Sequence, residues 1–278
     1  MSTLTTHTTA SRAAHSVGLC KFNTTSNAIE VSDGTDWLIY DFDTTTAFAN
    51  RFSLTLDGTG DRLDTSSVVT PSATSGTISA WIKTTSTAYQ AVLSTADTSG
   101  NVTWGWMAVY NNKLRITFRA SGGTVKTADG STTINDGNWH HVVAVSSGTA
   151  YSLYVDGSAE TLTNSNNDGT WFGDLTSLTS TNIGSHVRSA AGNYFLGNID
   201  DVAVWDSDQS SNISTIYNSG KPSDLSTFSP SPALWYRMGD GSEGGTGTTI
   251  YDASNSNNGT LSGDAAIASI NSGESIYV

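Results

Sequence analysis

For most of its length the chain alternates between short runs of mixed apolar and polar residues and clusters of turn-forming residues. Between Phe52 and Tyr217 the candidate strands are Phe52–Leu56, Thr77–Lys83, Ala91–Ser94, Trp104–Tyr110, Leu114–Arg119, Trp139–Ser146, Tyr151–Val155 and Gly197–Trp205. Asp57-Gly58, Asp129-Gly130, Asp136-Gly137 and Asp156-Gly157 fall between them, and Asp-Gly pairs supply the backbone bends that tight turns need. Short strands punctuated in this way predict an antiparallel sandwich or barrel. Helical spacing occurs only over Ser210–Tyr217, where Asn212, Ile213, Ile216 and Tyr217 predict a single turn. Pro222, Pro230 and Pro232 then mark a loop.

The first 45 residues follow a different pattern. Residues 1–19 are mostly Thr, Ser, Ala and His with almost no apolar periodicity, which predicts an extended or partner-ordered arm without secondary structure of its own. The peptide LCKFNTTSNAIEVSDGTDWLIYDFD then carries three short runs, broken at Asn-Thr-Thr-Ser-Asn and at Asp33-Gly34. It reads as two or three strands joined by tight turns. A hairpin of this size does not bury a core alone, yet Phe22, Ile29, Val31, Trp37, Leu38 and Ile39 supply more apolar surface than a free hairpin normally exposes. Residues 1–45 are therefore expected to be an attachment or oligomerisation adaptor. The surface it docks on is the sandwich, a second copy, or a host scaffold.

Composition narrows the classes. A length of 278 residues suits one large β domain or two small ones, and Cys20 is the only cysteine, so no intramolecular disulfide forms. Charged residues make up 13% of the chain, with 12 Lys and Arg in all. The net charge of −13 comes from scattered Asp residues rather than an acidic run, and fits solubility and cation binding better than a disordered tail. There is no basic stripe with interleaved aromatics, which argues against nucleic acid. No apolar stretch is long enough to span a bilayer, and MSTLTTHTTASRAAHS lacks the apolar core of a secretory signal.

Several peptides together resemble the laminin G-like branch of the concanavalin A-like lectin/glucanase superfamily. FSLTLDGTGDRLDTSS is similar to the family's first core strand and its Asp-Gly turn, and GTISAWIKTT to the next core strand with its Trp. DGNWHHVVAVSSGTAYSLYVDGS is similar to a strand opened by Trp-His followed by a Val-Asp-Gly hairpin, and FLGNIDDVAVWDSDQSSNISTIYNSG to the closing strand and short helix. The likeness runs in order over residues 52–220. It implies an all-β, antiparallel concanavalin A-like jelly-roll sandwich over residues 46–278. Residues 233–264 resemble the segment that usually precedes the first core strand. Either a second domain is cut short there, or the segment completes the same sandwich from the other end. The latter is favoured, because Trp235, Tyr236 and Met238 need a core to enter. The peptide KFNTTSNAIEVSDGTDWLIYDFD also resembles a short repeat of tailed-phage structural proteins, which implies a virion-surface location and contacts with other virion proteins.

The superfamily contains glucanases, so catalysis needs testing. Retaining glycosidases use two carboxylates about 5–5.5 Å apart, and the glucanase pair comes from Glu residues alternating along one strand. The Glu residues here are Glu30, Glu160, Glu243 and Glu274, no two in one strand. His140 and His141 lie on a strand the family uses structurally, and nothing singles out a nucleophile for them. A non-enzyme is expected. Calcium is a candidate cofactor, since relatives bind it through Asp, Asn and carbonyl oxygens. Asp57, Asp61 and Asp64 in the first turn, with Asp200 and Asp201 in the closing strand, are the candidate ligands, against the reading that Asp-Gly is only turn chemistry. For a host-surface glycan, Trp171, Phe172 and Tyr194 lie in Asn- and Gly-rich, loop-like surroundings and are the candidate platform. Trp81, Trp139 and Trp205 read as core, and Trp104 and Trp106, which share one strand face, fit either role. The expected function is a non-catalytic virion surface protein, a capsid decoration, fibre or tail-fibre component. The alternatives are a bacterial glycan-binding adhesin and, more weakly, a glycoside hydrolase.

Overall fold

The computed structural model describes residues 5–7, 20–23, 28–32, 37–40, 48, 50–66, 73–100, 102–241, 245–254 and 257–270; within these it leaves out the side chains of 164–165 and, apart from Val31, of the segments before residue 48. The chain forms two compact units, Met1–Ala49 and Asn50–Val278.

The first unit is a four-stranded sheet in the order β1 (Thr5–His7), β2 (Cys20–Asn23), β3 (Ala28–Ser32), β4 (Trp37–Tyr40). Antiparallel register sets Phe22 opposite Ile29, Val31 opposite Leu38 and Ser32 opposite Trp37. The side chains of Phe22, Ile29, Trp37 and Ile39 lie outside the described residues, and Val31 is half-buried. Thr5–His7 differs from the expected structureless arm, because it joins β2 in parallel. Main-chain N–H and C=O groups alone make such a pairing, so it needs no apolar periodicity.

The second unit is an antiparallel sandwich. Its strands are β5 (Phe52–Asp57), β6 (Arg62–Thr65), β7 (Gly76–Lys83), β8 (Gln90–Ala96), β9 (Trp104–Tyr110), β10 (Lys113–Arg119), β11 (Lys126–Asp129), β12 (Trp139–Ser146), β13 (Tyr151–Val155), β14 (Ser158–Ala159), β15 (Asn164–Asn166), β16 (Ser180–Ile183), β17 (His186–Val187), β18 (Ala191–Gly192), β19 (Leu196–Trp205), β20 (Leu234–Tyr236), β21 (Thr249–Ile250), β22 (Gly259–Ser262) and β23 (Ala266–Ser269). One sheet has nine strands, ordered β15-β11-β10-β9-β8-β16-β6-β22-β21. The other has eight, ordered β14-β13-β12-β7-β19-β5-β23, with β20 also beside β19. The residues after Pro232 thus contribute to both sheets.

Side chains alternate across each strand, and the inward set forms the core. Ile78, Ala80 and Ile82 of β7 and Val142 and Ala144 of β12 meet Met107 and Val109 of β9 and Leu114, Ile116 and Phe118 of β10. Each large side chain so buried contributes about 1.5–3 kcal/mol. The central strands of the eight-stranded sheet are buried on both faces. Their outer face is covered by α1 (Ile213–Tyr217) and the turn Leu225–Thr227, where Ile213 packs on Val143 and Val145 and Tyr217 stacks on Trp81 at 6.0 Å. Backbone approach demands glycine at Gly197, whose φ of +136° sets it against the Lys83 carbonyl where a Cβ has no room.

Candidate functional site

The outer face of the nine-stranded sheet carries a row of polar side chains crossed by aromatic rings. Register places Thr127, Thr117, Trp106, Ser94, Asn182, Asp64 and Thr260 in one row across β11, β10, β9, β8, β16, β6 and β22. Period-two alternation turns these residues outward while Met107, Ile116 and Leu63 point into the core. Rings cross this row. Tyr110 lies 4.6 Å from Tyr89, Tyr89 lies 4.5 Å from Trp106, and Trp106 lies 6.5 Å from Trp104. Arg115 sits over Tyr110 at 3.6 Å and grips Asp129 with both arms, at 2.5 and 2.7 Å. Arg188 lies over Trp104 at 5.7 Å. Tyr89, Tyr110 and Arg115 are half-buried, so part of this ladder faces solvent.

The β17–β18 hairpin lies against the other part. His186 packs 4.2 Å from Trp106 and 5.8 Å from Trp104. Burial and the neighbouring Arg188 charge push its pKa down to about 3, so its ring is neutral near pH 7. Trp104 Nε1, Trp106 Nε1, Asn182 Oδ1, Ser185 Oγ and both His186 nitrogens have no protein hydrogen-bond partner, although none of these five residues is more than 8% exposed.

Two of the three residues expected to form a glycan platform are not at the surface. Trp171 and Phe172 are fully buried, packed 5.2 and 5.1 Å from Phe118. The 3₁₀ turn Phe172–Asp174 folds back into one end of the sandwich, and Gly76 leaves the space the Trp171 indole fills. Asn- and Gly-rich flanks report a bent backbone, not the direction in which an aromatic points. Tyr194 is half-buried just before β19. Nearby, a cleft of about 260 Å³ is lined by Lys83, Thr84, Thr85, Gly137, Leu196, Gly197 and Asn198. Leu196 is 44% exposed there, but no lining residue offers an aromatic face.

The five candidate calcium ligands fall into two groups. Asp57, Asp61 and Asp64 are occupied by protein donors. Asp61 accepts the N–H groups of Asp57 and Asp264, at 2.9 and 2.6 Å, and Asp57 accepts that of Thr59 at 2.7 Å. Asp64 accepts from Arg62, Asn182 and Ser262. Asp61 and Asp64 thus spend both carboxylate oxygens on holding turns and strands together, while Asp57 is exposed with its Oδ1 engaged. Asp200 and Asp201 differ. A bulge in β19 between Asp200 and Ala203 breaks its register with β7 and puts Asp201 at φ +43°. Asp200 accepts from Asn50 Nδ2 at 2.8 Å and Asp201 from Trp235 Nε1 at 2.9 Å. Asp201 Oδ2 and Asn50 Oδ1 are buried without a partner. Burial raises both carboxyls, aided at Asp200 by the Asp201 charge and at Asp201 by Asp240, and Asp201 reaches about 7. Hard oxygens short of positive charge suit a cation such as calcium. Among the described residues, no three of His, Cys, Asp and Glu converge as ready-made metal ligands, so Asn50 and backbone oxygens would have to complete any such shell.

The arrangement nearest to a nucleophile and base is Ser79 with His141, whose Oγ and Nε2 are 2.8 Å apart. Both line a small cavity of about 10 Å³ with Trp81, Asp201, Ile216, Ser223 and Leu225. That is room for one water molecule. Burial holds His141 at about pKa 4 against the pull of the Asp156 charge. His140, its neighbour, instead lies between Asp156 at 2.7 Å and Asp136 at 3.2 Å. Burial works against its charge, but the two carboxylates outweigh it and raise its pKa.

Residues 57–212, more than half of the chain, match the sequence profile of a family described as the concanavalin A-like lectin/glucanases superfamily. No curated protein matches the chain. A candidate carbohydrate-binding protein of Bacteroides ovatus shares the fold at a TM-score of 0.58 and 17% identity, over 87% of this chain and 73% of that one. A heptameric SAP-like pentraxin of Limulus polyphemus aligns at a TM-score of 0.48 and 20% identity, over 62% and 84%. The CBM40 of a Ruminococcus gnavus sialidase aligns at 0.44 and 21%, over 50% and 79%.

Proposed function

We propose that this chain, which belongs to the concanavalin A-like lectin/glucanases superfamily, is a non-catalytic structural protein of a virion surface whose sandwich binds glycans on the outer face of its nine-stranded sheet. The observation that carries the glycan reading is the ladder Tyr110–Tyr89–Trp106–Trp104, flanked by Arg115 and Arg188 and crossed by a row of hydroxyl and amide side chains. Sugar rings stack their C–H faces on aromatics while their hydroxyls take hydrogen bonds. The carbohydrate-binding description of the Bacteroides ovatus neighbour supports the same reading. The non-catalytic part is supported by the Ser79–His141 pair, both buried beside a cavity of only about 10 Å³, and by the lack of paired Glu in any strand. The virion part is supported by the phage-like peptide, which falls in the first unit, itself a compact body.

Tyr89→Ala and Tyr110→Ala, read on an array of hexose, N-acetylhexosamine, uronate and sialic acid oligosaccharides, test the site. Each variant is expected to lose roughly tenfold in affinity while still melting cooperatively. Binding that survives both substitutions together contradicts the site. Mass spectrometry of purified particles tests the location, and recovery of the chain only from bacterial surfaces supports an adhesin instead.

Calcium belongs to the same proposal. Asp200, Asp201 and Asn50 would hold it, and it would there add to the charge of Arg237 and engage Asp201 Oδ2 and Asn50 Oδ1, which are buried without a partner.

A further inference from the structure

Building on the glycan reading above, we infer that the β17–β18 hairpin, His186–Gly192, is a lid, and that His186 occupies against Trp106 and Trp104 the place a hydroxyl-bearing ring takes when the lid opens. The closed hairpin leaves hydrogen-bonding capacity unmet beneath it. Trp104 Nε1 and Trp106 Nε1 are donors, Asn182 Oδ1 is an acceptor, and Ser185 Oγ and the His186 nitrogens can serve either way. Buried polar atoms of this kind normally find partners. Vicinal sugar hydroxyls, each both donor and acceptor, match a mixed set like this, which a purely apolar guest would leave unpaired.

The hairpin is also built to move as a piece. Its ends are fastened: Gly184, at φ +83°, donates to the Val92 carbonyl and accepts from Phe195 N–H, and Asn193, at φ +52°, accepts from Ala91 N–H. Ser94 Oγ ties the Ser185 carbonyl at 2.8 Å. Between those anchors the residues are small or polar, Val187-Arg188-Ser189-Ala190-Ala191-Gly192, and the tie from Ser180 Oγ to the Val187 carbonyl is long at 3.3 Å. What seats the lid is the neutral imidazole of His186 on two indoles, with neither ring nitrogen bonded to protein, together with Arg188 over Trp104.

Two substitutions in the full chain pull in opposite directions. His186→Ala removes the ring from that seat and leaves Arg188, so the amides of residues 186–192 should exchange about tenfold faster with deuterium in the absence of ligand, while those of β19 stay as they are. The same variant should bind the strongest oligosaccharide of the array about tenfold more tightly, because less closed state competes. His186→Phe keeps the ring and removes the two unmet nitrogens, so exchange should slow and affinity should fall by a similar factor. Unchanged exchange in both variants overturns the lid. Altered exchange with no oligosaccharide bound by any variant leaves the lid standing and removes the glycan reading. Equal affinity of all three proteins, with the ligand placed on the ladder, overturns the inferred role of His186.

Discussion

A carboxylate in this molecule is defined by what faces it rather than by its place in a motif. Asp57, Asp61 and Asp64 sit in the turn that most resembles a metal loop, yet backbone amides, Arg62, Asn182 and Ser262 take both oxygens of Asp61 and Asp64 and one of Asp57. Asp200 and Asp201 sit in a strand, and the bulge leaves them buried beside Asn50 with too few donors. Millimolar calcium is therefore expected to raise the melting temperature over that in EDTA, since a ligand confined to the native state stabilises it by mass action. Asp200→Asn should abolish the difference, whereas Asp57→Asn should leave it. Equal melting curves in calcium and EDTA remove calcium from the proposal. The histidines divide in the same way. Folding lowers the pKa values of His141 and His186, so they favour the folded state above the unfolded value of about 6.5, and this stability is lost as pH falls toward about 4 and 3. His140 is raised, so its contribution is present below about 6.5 and disappears as pH rises through its folded value. Imidazole signals followed by NMR should show His140 titrating above pH 6.5 and the other two well below it. A common midpoint for all three contradicts the burial and pairing described.

At the scale of elements, legibility follows length and alternation. Trp104–Tyr110, Trp139–Ser146 and Tyr151–Val155 are readable to the residue, because each alternates or runs apolar between clear turn signals. The strands Arg62–Thr65, Lys126–Asp129, Ser180–Ile183 and Gly259–Ser262 are too short and polar to announce themselves. They are strands because neighbouring edges offer main-chain partners, information that is not local. The site was half legible for the same reason. The shared face of Trp104 and Trp106 is visible in the spacing, but Tyr89, Arg115 and His186 join it only through register and the β17–β18 hairpin. Trp171 illustrates the converse, an aromatic in loop-like text that plugs the end of the core. Trp171→Ala should cost about 3–5 kcal/mol in chemical denaturation, while Tyr194→Ala should stay within about 0.5 kcal/mol. Near-equal costs contradict the assignment of Trp171 to the core.

For the whole molecule, the two compact units Met1–Ala49 and Asn50–Val278 suit the proposed division of labour between attachment and recognition. Deleting residues 1–45 should leave a soluble monomer that melts cooperatively and no longer joins particles or oligomers; normal assembly of the shortened chain, or its failure to fold, contradicts that division. Recognition itself can be watched at the indole N–H groups. Trp205 and Trp235 donate to the Pro230 carbonyl and to Asp201, so they serve as internal controls, while Trp104 and Trp106 have no protein acceptor. In a ¹H–¹⁵N spectrum titrated with the oligosaccharide panel, at least one sugar should shift the Trp104 and Trp106 indole signals and leave those of Trp205 and Trp235 in place. If no sugar moves the first pair, or all four signals drift together, the outer face of the nine-stranded sheet is not a glycan site.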